Sequence, residues 1–255
     1  MQRAQLPLAG KTALVTGGSR GLGRAMVLRL AADGARVLFS YRSNAAAAAE
    51  VEQAVATAGG EAHGICADGA TLDGINALFH EVDRLLGEGS PTLDILVANA
   101  GVIGNTLIED VTEAEFDRIF GLNVKGVFFT IQRALPRLRD NGRIINIGTG
   151  LTRFSMAEYV TYSAAKGAVD TMTQVLAQHL GKRGITVNTL APGAIDTDMN
   201  PWLKTEDGIG FMRSVTALDR VGHAEDIADV AAFLASDDSR WVTAQRIEAS
   251  GGMRL

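Results

Sequence analysis

The 255-residue chain has a single cysteine, no run of about 18 apolar residues free of charge, and no clustered basic residues. Each shortage closes off a class of protein. Cys66 has no partner for an internal disulfide. His63, three residues earlier in an expected strand, faces the other side, so the pair does not suggest a metal site and Cys66 reads as a buried structural thiol. His80, His179 and His223 also lack metal-ligand spacing, so no metal is expected. Without a long apolar run there is no candidate membrane span. Residues 1–8 are too short and polar for a secretory apolar region, which points to a soluble, cytoplasmic protein. The net charge of -5, with Lys and Arg scattered, leaves no footprint for nucleic acid or an anionic membrane and favours a small-molecule partner. No shift in composition marks a boundary, and 47% apolar residues supply one sizeable core, so residues 1–255 read as one domain.

Short β-rich apolar segments alternate with longer helical patterns along the whole chain. Residues 13–15, 37–39, the flanks of Ile65, 93–97, 143–147, 185–190 and 246–248 read as about seven strands, several continuously apolar as buried parallel strands require. Residues 22–33, 44–58, 71–87, 112–135, 160–181 and 224–235 carry apolar positions at three-to-four spacing, with start signals at Ser43-Asn44 and Thr112-Glu-Ala-Glu115. The alternation predicts an α/β fold, a Rossmann-type doubly wound parallel sheet flanked by helices. Segments 151–159 and 196–217 break the rhythm after the fifth and sixth strands. They leave the strand ends where ligands bind in such sheets, and Phe154, Met156, Met199, Trp202, Leu203, Phe211 and Met212 within them are candidates for an apolar lid or for ordinary packing.

Two patterns carry chemistry. Between the first strand and first helix stand Gly17, Gly21 and Gly23. The first permits a tight turn, the second lets backbone approach a pyrophosphate, the third allows close helix packing, and the helix N-terminus favours the anion. Far downstream, Tyr162 and Lys166 lie four residues apart and share one helix face. A phenol ionises near pH 10, and a neighbouring ammonium favours its phenolate, so the pair suggests proton transfer. Tyr159 has no lysine at that spacing.

The Gly-x-x-x-Gly-x-Gly spacing with Tyr-x-x-x-Lys resembles the short-chain dehydrogenase/reductase family, closest in character to bacterial 3-oxoacyl-(acyl-carrier-protein) reductase-like members. Asn99-Ala-Gly101, Asn123 and Pro192-Gly-Ala-Ile-Asp-Thr197 stand in the family's order, and the resemblance covers nearly the whole chain. Near the C-terminus Ala244 stands where the family usually has glycine. The resemblance implies a nicotinamide cofactor against Gly17, Ser19, Arg20, Gly21, Leu22 and Gly23, then Tyr41, Arg42 and Asp68, then Asn99, Ala100 and Gly101. It adds Tyr162 and Lys166, and lastly Pro192, Gly193, Ile195 and Thr197. Asp68 reads equally as a turn-capping aspartate. Homotetramer assembly through 112–135, 160–181 and the C-terminal region is also implied.

The resemblance makes Tyr162 the acid or base on the substrate oxygen and Lys166 its tuner and ribose contact. Asn123 is assigned a kinked helix and a water-linked relay to Lys166; read alone, it is equally a surface asparagine. The substrate-holding hydroxyl, normally serine thirteen residues before the tyrosine, is Thr149. Threonine keeps the donor but adds a rotamer-restricting methyl at the pocket wall. Ser155 is an alternative donor off the motif. The expected activity is NADPH-dependent reduction of a ketone or 3-oxoacyl carbonyl. The alternatives are an NADP-dependent sugar or secondary-alcohol dehydrogenase and an NADP-binding regulatory module with little catalysis.

The second strand runs into Tyr41-Arg42 with no acid at the position that would accept the adenosine ribose hydroxyls and repel a 2′-phosphate, while Arg20 and Arg42 offer charge-assisted contacts. Arg42 read alone could simply solvate a strand end. NADPH should therefore support faster turnover than NADH in a paired cofactor assay, and a strong NADH preference would overturn this assignment.

Overall fold

The computed structural model describes residues 6–87 and 92–255; residues 1–5 of the polar N-terminal stretch lie outside it. Seven parallel strands form one sheet in the order β3-β2-β1-β4-β5-β6-β7. They are β1 (Thr12–Val15), β2 (Arg36–Tyr41), β3 (Glu61–Cys66), β4 (Leu93–Ala98), β5 (Leu138–Ile147), β6 (Thr186–Pro192) and β7 (Arg246–Ala249). The helices are α1 (Gly21–Ala32), α2 (Ala45–Thr57), α3 (Leu72–Leu86), α4 (Glu113–Phe120), α5 (Val127–Ala134), α6 (Val160–Leu180), α7 (Glu206–Val215) and α8 (Ala224–Ala235). This is the Rossmann-type doubly wound sheet that the alternation predicts.

Side chains alternate across each strand, and both faces are apolar, so two cores form. Val15, Val37, Phe39, Val97 and Ile147 pack with α1, α2 and α8 on one face. Leu14, Leu38, Leu96 and Ile144 pack with α3, α5 and α6 on the other. The strand order reverses between β1 and β4, opening the crevice where such folds bind ligands. Polar caps fix the helix starts, with Asn44 Oδ1 accepting from Ala47 N at 3.0 Å and Thr112 Oγ1 from Glu115 N at 3.2 Å.

The structure corrects the sequence reading at three places. The 112–135 helix is interrupted by a π-helical segment, Gly121–Gly126, between α4 and α5. Asn123 Nδ2 takes the Ile119 carbonyl at 2.9 Å, inserting a side chain into the backbone ladder, a recognised cause of such bulges. Segment 196–217 contains α7, capped by Thr205, whose Oγ1 accepts from Gly208 N at 3.1 Å. Cys66 is exposed rather than buried, because it ends the edge strand β3 and its Sγ turns to the Arg42 carbonyl at 3.3 Å.

Ala244 adopts φ +59°, in the left-handed region. An L-residue there bears about 1–2 kcal/mol of strain. Ala244→Val places a β-branch in that conformation and should lower the melting temperature by roughly 3–6 °C. Ala244→Gly should match or exceed wild type; a valine variant as stable as wild type contradicts the strain.

Candidate active site

The C-terminal ends of the strands open into a cavity of about 1390 Å³. Every residue expected to contact the dinucleotide lines it, as do Thr149, Tyr162 and Lys166; Asn123 lies beneath, fully buried. At one end the glycine turn runs from β1 into α1 with Gly17 at φ +68° and Gly21 at φ +53°, conformations that favour glycine. A Cβ on Gly23 would stand 2.1 Å from the Gly17 carbonyl oxygen, so the third glycine is required by close helix packing. Thr16 Oγ1 accepts from the amides of Asn99 and Ala100 at 3.0 Å each, and Asn99 Nδ2 donates to Thr16 O at 2.8 Å and Gly17 O at 3.2 Å. The segment after β4 is thereby clamped to the turn.

At the far rim of this end, Tyr41 closes β2, and the exposed Arg42 Nε lies 3.5 Å from Asp68 Oδ2. Asp68 Oδ1 accepts from Ala70 N at 3.0 Å, so it caps its turn as well as lining the cavity. Arg20 precedes α1 and is exposed beside the same space. Pro192 ends β6, and Gly193, Ile195 and Thr197 continue along the cavity, where a Cβ on Gly21 would stand 3.7 Å from Thr197.

Tyr162 and Lys166 occupy the first turns of α6, 9% and 3% exposed. Burial pushes the Tyr162 phenol up to about 12, and the nearby Thr149 hydroxyl pulls the other way. Burial lowers Lys166 to about 8, opposed by the charge of Asp170 one helical turn on. Lys166 Nζ donates to the Ile147 carbonyl at 2.7 Å and stands 5.8 Å from the Tyr162 ring centre. Here the structure departs from the expectation that the ammonium lowers the phenol: the group opposing burial at Tyr162 is Thr149. Asn123 Nδ2 donates to Val102 O at 2.8 Å as well as to Ile119 O, and its Oδ1 accepts from Val102 N at 3.3 Å. It is a core residue, and the expectation of a surface asparagine is set aside.

The other end of the cavity is apolar. Phe154, Met156, Met199, Trp202 and Phe211 line it, whereas Leu203 and Met212 pack beneath with Met253, so the seven lid candidates divide between wall and core. Trp202 and Phe211 stand 6.3 Å apart, ring centre to ring centre. Tyr159, Phe128 and Met253 also line the cavity, and Ser155 is exposed outside it. Tyr159 carries no lysine, and the sequence offered no signal for Phe128 or Met253, which reach the cavity by the fold alone. Asp170 was also missed, although its four-residue spacing from Lys166 is legible. Among the described residues no three His, Cys, Asp or Glu side chains gather as a metal site, and no helix is long and apolar enough to cross a membrane.

A family model described as enoyl-(acyl carrier protein) reductase matches residues 17–254. A probable tetrahydroxynaphthalene reductase of Zymoseptoria tritici is 37% identical, the match covering 96% of this chain and 94% of the relative. Two solved structures are similar throughout. The promiscuous reductase LugOII, which catalyses keto-reduction at C1 during lugdunomycin biosynthesis, is 45% identical with a TM-score of 0.93, covering 98% of this chain and 100% of that one. The angucycline C-6 ketoreductase LanV, with bound NADP, is 42% identical with a TM-score of 0.92, covering 98% and 97%. The chain belongs to the short-chain dehydrogenase/reductase family and is an oxidoreductase.

The lowered Lys166 fixes the sign of a stability effect. Its folded value near 8 lies below the unfolded 10.5, so the buried ammonium destabilises the fold in full below pH 8, and this penalty fades as pH rises to 10.5. Lys166→Met should therefore be stabilised at pH 7 by up to about 3 kcal/mol. Denaturant titrations at pH 7 and pH 10 should show that advantage shrinking; an advantage that grows with pH contradicts the assignment.

Proposed function

We propose that the protein is an NADPH-dependent ketone reductase whose substrates are flat, fused-ring aromatic ketones. The observation that carries the reading is that Thr149, Tyr162 and Lys166 line one cavity with the glycine turn and an aromatic wall. The glycine turn suits a pyrophosphate, since Gly17 and Gly21 hold positive φ and present backbone, not side chains, to the cavity. NADPH, when bound, supplies the hydride. Arg20 and Arg42 would hold the 2′-phosphate, and Arg42 already lies 3.5 Å from Asp68. The NADP carried by LanV supports this choice.

Tyr162, with its phenol held near 12, keeps its proton at neutral pH and gives it to the substrate oxygen in the reducing direction. Thr149 donates to the same oxygen and orients the carbonyl. Lys166, fixed on the Ile147 carbonyl, binds the nicotinamide ribose and supplies positive charge beside the phenol as the proton leaves. Asn123 keeps the π segment and Val102 in place under this group.

The substrate class rests on the walls and on the relatives. Phe154, Tyr159, Trp202 and Phe211 offer ring faces, and Met156 and Met199 fill between them. The similar proteins include a probable tetrahydroxynaphthalene reductase and an angucycline C-6 ketoreductase.

NADPH oxidation should follow fused-ring ketones such as tetralones and hydroxynaphthalene tautomers ahead of 3-oxoacyl thioesters and sugars. Tyr162→Phe should lower kcat by about 10²–10⁴-fold. Thr149→Ser should stay active and Thr149→Val lose most activity. Near-normal ketone reduction by folded Tyr162→Phe refutes the proton-transfer role, and faster turnover of acyl thioesters refutes the substrate class.

A further inference from the structure

Behind Thr149 lies a polar ring that the proposed reaction leaves without a role. Arg246, on β7, reaches under the turn that follows β5. Its Nη2 donates to the Thr149 carbonyl oxygen at 2.7 Å, its Nε donates to Thr152 Oγ1 at 3.0 Å and lies 3.3 Å from Asp170 Oδ2, and its Nη1 donates to Glu248 Oε2 at 3.2 Å. Thr152 Oγ1 closes the ring, 2.9 Å from Asp170 Oδ2 and 3.2 Å from the Thr149 carbonyl oxygen. The last strand, the turn and α6 therefore meet at one peptide group. Arg246 and Asp170 are largely buried, their side chains 25% and 17% exposed.

The geometry makes a backbone restraint into a hydroxyl restraint. Thr149 is extended, at φ -159° and ψ 151°. Its carbonyl is held by Arg246 and its Oγ1 accepts from Leu151 N at 3.3 Å, so the same turn sets both, and a β-branched side chain has few χ1 choices with which to depart from it. A planar guanidinium with donors in a fixed fork can meet the Thr149 carbonyl, Thr152 and Asp170 together, which a lysine cannot.

We infer that Arg246 is a positioning residue: by holding the Thr149 peptide, with Asp170 and Thr152 as its anchors, it keeps the Thr149 hydroxyl aimed at Tyr162 and the substrate oxygen. The inference rests on the reading of Thr149 as the hydroxyl that orients the carbonyl. Misplacement of such a group by about 1 Å lowers rates by up to about a hundredfold.

Arg246→Gln should lower kcat by roughly 10–100-fold while the Kd for NADPH, read by the nucleotide's fluorescence, stays within about twofold and the circular dichroism is unchanged. Arg246→Lys, which reaches the carbonyl but not all three partners, should recover part of the loss. The deciding measurement is a double-mutant cycle: in a Thr149→Val background Arg246→Gln should cost less than about twofold, because the group it acts through is gone. An equal cost in both backgrounds, or wild-type kcat in Arg246→Gln, overturns the inference. A crystal structure of Arg246→Gln gives an answer independent of turnover: a Thr149 hydroxyl turned from Tyr162 supports the role, and an unmoved one overturns it. If the wild-type protein reduces no ketone, the carbonyl-reductase reading fails separately, and that crystal structure still decides what Arg246 does.

Discussion

The hydrogen bond from Lys166 Nζ to the Ile147 carbonyl fixes the arrangement on which the site depends. An ammonium 3% exposed demands a fixed acceptor, because an unpaired charge in a protein interior costs several kcal/mol. Meeting that demand ties α6 to the end of β5, and so sets Tyr162, one helical turn earlier, opposite Thr149 at the start of the next turn. Asp170, one turn later, offsets part of the burial of the same lysine. One desolvated cation thus organises the end of a strand and a helix.

The parallel sheet supplies the rest of the setting. All seven strands end on the same side, so the glycine turn after β1, the segment after β4, Thr149 after β5 and Pro192 at the end of β6 come together although they are scattered through the chain. Glycine positions hold these pieces close: a Cβ on Gly101 would stand 2.7 Å from Asn123 Oδ1 and 3.5 Å from Lys166 Nζ. The apolar end of the cavity is built differently, from irregular segments and α7, where a change of side chain alters the pocket's shape without moving the proton-transfer group.

Much of the sheet was legible because its signals are local. Apolar runs of strand length, caps such as Asn44 and Thr112, and glycines between strand and helix each report a short-range constraint. The 112–135 segment shows where locality ends, since its apolar periodicity passes through Gly121–Gly126 unchanged and only the Asn123 amide, bonded to Val102 and Ile119, accounts for the π segment. Cys66 was misread for a related reason. Strand position says which face a side chain takes, not whether its strand lies at the sheet edge.

The sequence by itself determined the sheet, the glycine turn and the four-residue spacing of Tyr162 and Lys166, because backbone periodicity and side-chain identity suffice for those. Only the tertiary structure decided which way the tyrosine's acidity moves, since desolvation depends on what surrounds the phenol rather than on what neighbours it in the chain. The same holds for the partners of Thr149: Arg246 lies 97 residues away, and only closure of β7 against β6 brings its guanidinium to that carbonyl.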